Sequence, residues 1–165
     1  MKPLVSGAPS WMRVSENKRG TLLKLRGNRS WAGQPVIDRV RIRLRDGVTG
    51  VSINQGMLAQ VRVAGSRQGD RIVFGDQAGT ITKRFNSIIN FGKDNEKDVF
   101  TFRNTTREHG PFNHMQRIRI TNFGREDVIR LQNIGRAFRF KDLERAGTNK
   151  WVLPGVSPAS LEVFT

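Results

Sequence analysis

In the stretch VIDRVRIRLRDG (residues 36–47) every second residue from Arg39 to Arg45 is arginine, and Val40, Ile42 and Leu44 fill the gaps. On a helix those three apolar side chains would scatter around the axis, whereas on a strand they share one face. A period of two therefore demands a half-buried strand. The same alternation recurs in TLLKLR (21–26), MLAQVRV (57–63), RIVF (71–74) and DVFTFR (98–103). It continues in QRIRIT (116–121), VIRLQ (128–132) and RAFRFK (136–141).

Turn signals separate these runs: DGVTG (46–50), NQG (54–56), GSRQGD (65–70), GDQAG (75–79), NFGREDV (122–128), NIG (133–135) and AGTN (146–149). Asp, Asn and Gly tolerate the backbone conformations that tight turns need. Short strands with a turn about every eight to twelve residues predict a mainly β fold, a single antiparallel sandwich or barrel, jelly-roll-like or OB-like. Little helix is expected. KDLERA (141–146) and SPASLEV (157–163) are the two places where a helical turn or two would fit, the second with Ser157 as its cap and Pro158 just inside. NFGKDNEKDVF (90–100) and NFGREDVI (122–129) repeat a turn-into-strand unit, read as two segments meeting the same turn requirement rather than as a duplication.

Three regions differ in character. Residues 1–20 read as an extended N-terminal arm, residues 21–147 as the β-rich domain, and residues 148–165 as an apolar C-terminal segment. Within that last segment Trp151, Leu153, Leu161, Val163 and Phe164 need burial, each worth about 1.5–3 kcal/mol. They either complete the chain's own core or dock on a neighbouring subunit.

The 165 residues include 29 Lys and Arg against 14 Asp and Glu, a formal charge of +15. Self-repulsion on that scale opposes compaction and implies a polyanion or an acidic partner. Alternate strand residues sit about 6.8 Å apart, where two unit charges in water repel by about 0.6 kcal/mol. Four arginines in a row thus cost about 2 kcal/mol, less than the roughly 4.5–9 kcal/mol returned by burying Val40, Ile42 and Leu44. The strand forms without a ligand, so the row alone proves nothing.

Recurrence is what argues for function. Arg117 and Arg119 repeat the arrangement, and Arg139 and Lys141 flank Phe140. Together with Arg39, Arg41, Arg43 and Arg45 these are the candidate polyanion contacts. Trp11 and Trp31 lie in irregular basic stretches and are the candidates for stacking on bases. Over six residues, KDVFTF (97–102) resembles the second RNA-contacting strand of cold-shock domains, but FNSIINFG (85–92) does not match that family's other motif.

Catalytic patterns were sought against this background. The chain has no cysteine and no tyrosine, which removes disulfides, thiolate metal sites and a phenol nucleophile. No GxSxG, GxGxxG, HExxH or Walker-type phosphate loop occurs. His109 and His114 fall in REHGPFNH, a loop-like stretch that gives no reason for both rings to converge on a metal. No catalytic residue, metal, cofactor or small-molecule substrate is expected. No apolar run reaches the 18 or so residues of a membrane helix, and MKPLVSGAPSW lacks the apolar core of a secretory signal, so the expectation is a cytoplasmic or virion protein.

The leading expectation is a non-enzymatic structural or assembly protein. It would be a virion component (capsid-associated, connector or tail) or a subunit of another large complex. Its partners would be copies of itself or other subunits, with the basic face toward DNA, RNA or acidic proteins. The alternative is a soluble single-strand nucleic-acid-binding module that uses an arginine-rich sheet face.

Overall fold

A computed structural model describes residues 4–8, 12–27, 39–48, 50–54, 60–74, 85–103, 116–156 and 161–165. In chain order the strands are β1 (Val5–Ser6), β2 (Met12–Glu16), β3 (Leu22–Gly27), β4 (Arg39–Arg43), β5 (Gly50–Asn54) and β6 (Gln60–Ala64). There follow β7 (Arg71–Phe74), β8 (Phe85–Asn90), β9 (Val99–Phe102), β10 (Gln116–Thr121) and β11 (Val128–Leu131). The last four are β12 (Arg136–Arg139), β13 (Glu144–Gly147), β14 (Lys150–Val152) and β15 (Leu161–Phe164). The only helical pieces among the described residues are two 3-10 turns, Gln132–Ile134 and Phe140–Asp142. None of the described helices is long and apolar enough to cross a membrane.

The strands build two sheets. The first has the order β1-β4-β6-β8-β10-β15-β14-β13 and the second β12-β11-β9-β7-β5-β3-β2. From β3 to β11 the chain alternates between them, one strand in each, and the neighbours β4-β6-β8-β10 and β3-β5-β7-β9-β11 pair in parallel. The chain therefore winds as a flattened solenoid.

This overturns the expected antiparallel jelly-roll-like or OB-like sandwich. Alternation reports only that one face of a strand is buried. Parallel sheets are usually covered on both faces and lose that alternation, but a solenoid leaves its outer faces in water. Most turn signals do not close hairpins either: GSRQGD and NFGREDV carry the chain from the first sheet to the second, and only NIG and AGTN join antiparallel neighbours, β11 with β12 and β13 with β14. KDVFTF accordingly lies in a central parallel strand rather than in a closed antiparallel barrel. Of SPASLEV, residues 161–163 belong to the strand Leu161–Phe164, and the expected cap at Ser157 and Pro158 lies outside the described residues.

One core runs through the stack. Columns such as Leu25, Ile53, Phe74, Phe102 and Leu131 from the second sheet belong to the same cluster as Ile42, Val63, Ile89, Ile120 and Val163 from the first. Both ends are closed by antiparallel strands. β1 and β2 pair with β4 and β3 at one end, while β12 pairs with β11 and the β13-β14 hairpin pairs with β15 at the other. Repeat stacks need such caps, because a bare strand edge is a template for another chain. Residues 1–20 thus contribute the two N-terminal capping strands. In the C-terminal segment Leu153, Leu161 and Val163 lie in the core of the chain itself. Trp151 packs on Phe140, ring centroids 4.8 Å apart, and Phe164 is partly exposed.

The corner leading from the first sheet into the second is sewn by carboxylates. Asp70, Asp98 and Asp127 stand at successive turns, 28 and 29 residues apart, each just before a strand of the second sheet. The Asp70 N–H donates to Asp98 Oδ1 at 2.6 Å, and the Asp98 N–H to Asp127 Oδ1 at 2.9 Å. Ser66 N–H and Gly124 N–H donate to the outer oxygens of Asp70 and Asp127 at 2.6 Å each. Gly65 is required here, since a Cβ would overlap the Phe91 carbonyl and lie 2.8 Å from Asp70 Oδ2. The two NFG units occupy this corner in successive turns: Asn122 Nδ2 donates to Asn90 Oδ1 at 2.6 Å, and the Phe91 and Phe123 ring centroids are 5.9 Å apart.

Candidate polyanion-binding face

On β4 the arginines do what a strand period requires. Val40 and Ile42 are buried, and Arg39, Arg41 and Arg43 are exposed. Beyond the strand, Leu44 is buried and Arg45 opens a tight turn closed by the Val48 N–H to its carbonyl at 2.8 Å. The outer face of the first sheet thus begins with a row of cations.

Parallel register decides what stands beside each of them. Arg39 faces Gln60, and its Nε donates to Gln60 Oε1 at 3.1 Å. Arg41 faces Arg62 of β6, which is also exposed. Neighbouring strands are about 4.8 Å apart, and like charges directly opposite one another destabilise a ladder. Among the described residues no carboxylate forms an ion pair with Arg39, Arg41, Arg43, Arg45 or Arg62. Arg41, Arg43, Arg45 and Arg62 instead border an open depression of about 570 Å³ that also touches Ser6 and Asn90.

Two strands further along, the same face looks different. Arg117 and Arg119 on β10 converge with Lys150 on Glu162, which faces Arg119 from β15. The nitrogen–oxygen distances are 3.6, 3.5 and 2.8 Å for Arg117, Arg119 and Lys150. Glu162 is only 4% exposed. Burial works against its charge, but the Lys150 hydrogen bond and the surrounding cations win and hold its carboxyl below the usual range. The Arg119 guanidinium also sits over the Phe164 ring, 5.1 Å from its centroid.

The eight predicted contacts therefore divide. Arg39, Arg41, Arg43 and Arg45 form one group with no acid in contact, and Arg117 with Arg119 form a second that shares the single carboxylate of Glu162 with Lys150. Arg139 lies on β12 in the other sheet, and Lys141 in the 3-10 turn beyond it. Trp11, Trp31, His109 and His114 fall outside the described residues. Sequence reasoning missed Arg62, although QVRVA carries the signal: an arginine between two valines at strand period, as in RVRIR. It also did not pair Glu162 with its cations, because two of the three, Arg117 and Arg119, lie more than 40 residues away in sequence.

The corner beside the arginine row is acidic: Asp46 and Asp94 line a hollow together with Arg43 and Arg45. Burial pushes Asp70 up to about 6 and Asp98 up to about 8, and raises Asp127 as well. Among the described residues no three His, Cys, Asp or Glu side chains gather as they would around a metal ion. No known family model, curated protein or solved structure matches this chain.

Proposed function

We propose that this chain is a non-enzymatic, rigid β-solenoid that binds nucleic acid electrostatically through Arg39, Arg41, Arg43 and Arg62, as a component of a virion or of a cytoplasmic nucleoprotein assembly. The observation that carries the reading is the Arg41–Arg62 pair, two exposed like charges side by side in the ladder without a carboxylate in contact. A solubilising surface gains nothing from that juxtaposition. A phosphate backbone removes its cost and uses the planar guanidinium forks.

Charge carries this reading better than an apolar docking surface does. The tail residues Leu153, Leu161 and Val163 are spent on the chain's own core, and Val14 and Ile134 are the large apolar side chains exposed among the described residues. Titrating a dye-labelled duplex while varying salt tests the proposal. Four phosphate contacts give a log-affinity slope of about −3.6 against log salt. A flat salt dependence, or no binding in low salt, overturns it.

A further inference from the structure

The opposite side of the solenoid carries a second basic cluster. On the outer face of the second sheet Lys24 of β3, Arg71 of β7 and Arg103, just past β9, border a depression of about 380 Å³. Ser52 and Val73 also line it, and Leu22 forms part of its rim. Register explains the convergence: Lys24 faces Ser52, which faces Val73, while Gly50 lies between Leu22 and Arg71. Gly50 keeps the hollow open, because a Cβ there would come within 2.9 Å of Leu22 Cδ1.

The one acid on the strands of the second sheet is Glu16, exposed on the edge strand β2 and set by register opposite Leu23 rather than Lys24. No carboxylate pairs with Lys24, Arg71 or Arg103 among the described residues. Three cations around a hydroxyl, with no acid to neutralise them, suit a tetrahedral oxyanion. Arginine supplies planar pairs of donors and lysine a compact charge.

We infer that this hollow is a second site for a nucleic-acid phosphate backbone, so that one molecule holds two duplexes on opposite faces and bridges them. The two sheets pack back to back about 10 Å apart and point their outer faces in opposite directions, so the two sites serve two different duplexes. The inference rests on the nucleic-acid reading of the first sheet, and its test separates the two.

Two pools of a short duplex, one carrying a donor dye and the other an acceptor, are mixed with the full-length protein in low salt. Binding is read by anisotropy and bridging by energy transfer, with light scattering reporting the protein's mass. The expected result is transfer at one protein per two duplexes. In the Lys24→Ala, Arg71→Ala, Arg103→Ala triple variant transfer should fall to the donor-only level while one duplex stays bound. The Lys24→Arg, Arg71→Lys, Arg103→Lys variant should bridge, which separates lost charge from lost folding. Binding without bridging by the wild type, or undiminished bridging by the alanine variant, overturns the second site and leaves the first standing. No binding at all by the wild type overturns both.

Discussion

The outer face of the first sheet presents the same sequence motif twice, once beside a carboxylate and once beside another cation. RVRIR on β4 and QRIRIT on β10 both place arginines outward at strand period over a buried aliphatic face. On β10 the neighbouring strand brings Glu162, and the cations close on it. On β4 the neighbour brings Arg62, and the charges stay open. An arginine row therefore has no fixed meaning. What it can bind is decided by the residue across the ladder, and in a solenoid that residue comes from the next turn of chain.

The sharpest way to break this comparison removes equal charge from the two regions. Arg41→Ala with Arg62→Ala should cost about 3–6 kcal/mol of duplex binding, on the order of 10²–10⁴-fold in low salt, since each charged contact contributes about 1.5–3 kcal/mol. Its salt slope should fall by about 1.8. Arg117→Ala with Arg119→Ala should cost less affinity and less slope, because those cations share the charge of Glu162 while Arg41 and Arg62 have no acid in contact. Equal losses in the two double variants would show that the Glu162 carboxylate does not matter.

The contrast also depends on where the chain keeps its acids. Asp70, Asp98 and Asp127 are buried at the corner, near Asp46, Asp94 and Glu126, and all three bind a proton more tightly than an ordinary aspartate. Burial is the chief cause, and the charges of Asp46, Asp94 and Glu126 add to it. The folded state keeps these protons where the unfolded chain, with ordinary aspartates near 3.8, has released them. Stability therefore falls as pH rises from about 4 to about 8, by about 1.4 kcal/mol per pH unit for each proton held. The proton of Asp98, raised to about 8, is held through the window between pH 6 and 8. Denaturant unfolding of Asp98→Asn should show a flatter profile in this window, its amide oxygen still accepting the Asp70 N–H. An unchanged profile would place the titration elsewhere.

How far the sequence reveals all this depends on the length scale of the signal. Strand positions were legible because period two is local: RVRIR, RIVF and VIRL form strands where alternation predicts them. The pairing partner was not legible. Residues that touch across turns are 21 apart for Arg39 and Gln60, 28 for Asp70 and Asp98, and 32 for Asn90 and Asn122. Connections of unequal length blur any fixed period, so only the NFG units kept a visible repeat. The same blur hid Arg62 as the neighbour of Arg41, although each was visible separately as an outward arginine. The aspartates before β7, β9 and β11 read as ordinary turn residues, because nothing local distinguishes a buried carboxylate from a solvated one.

A smaller perturbation removes the one acid from the second region. Glu162→Gln keeps the volume but leaves Arg117, Arg119 and Lys150 without their acid. The cations are partly in water, with side-chain exposures of 53%, 47% and 34%, so solvent screens much of the loss. A destabilisation of about 1–2 kcal/mol is expected in urea unfolding. Duplex binding should tighten, with a salt slope steeper by up to about 1.8 if both freed arginines take phosphates. Lost stability without any gain in affinity would mean that the distance of β10 from the β4–β6 group, rather than its acid, keeps it out of the site.

The smallest change in stability comes from the reverse exchange, and it separates function from stability most cleanly. Arg62→Glu gives Arg41 the kind of neighbour that Glu162 gives Arg119. An opposite-charge pair across a ladder contributes about 0.2–1 kcal/mol, and the like-charge repulsion disappears with it. Thermal unfolding of this variant should therefore rise slightly, while its duplex affinity falls. A protein selected only for solubility would have no reason to forgo that stabilisation. If the variant is less stable than the wild type, Arg62 is held by packing that outweighs its charge, and the side-by-side arginines lose their force as a sign of a missing polyanion.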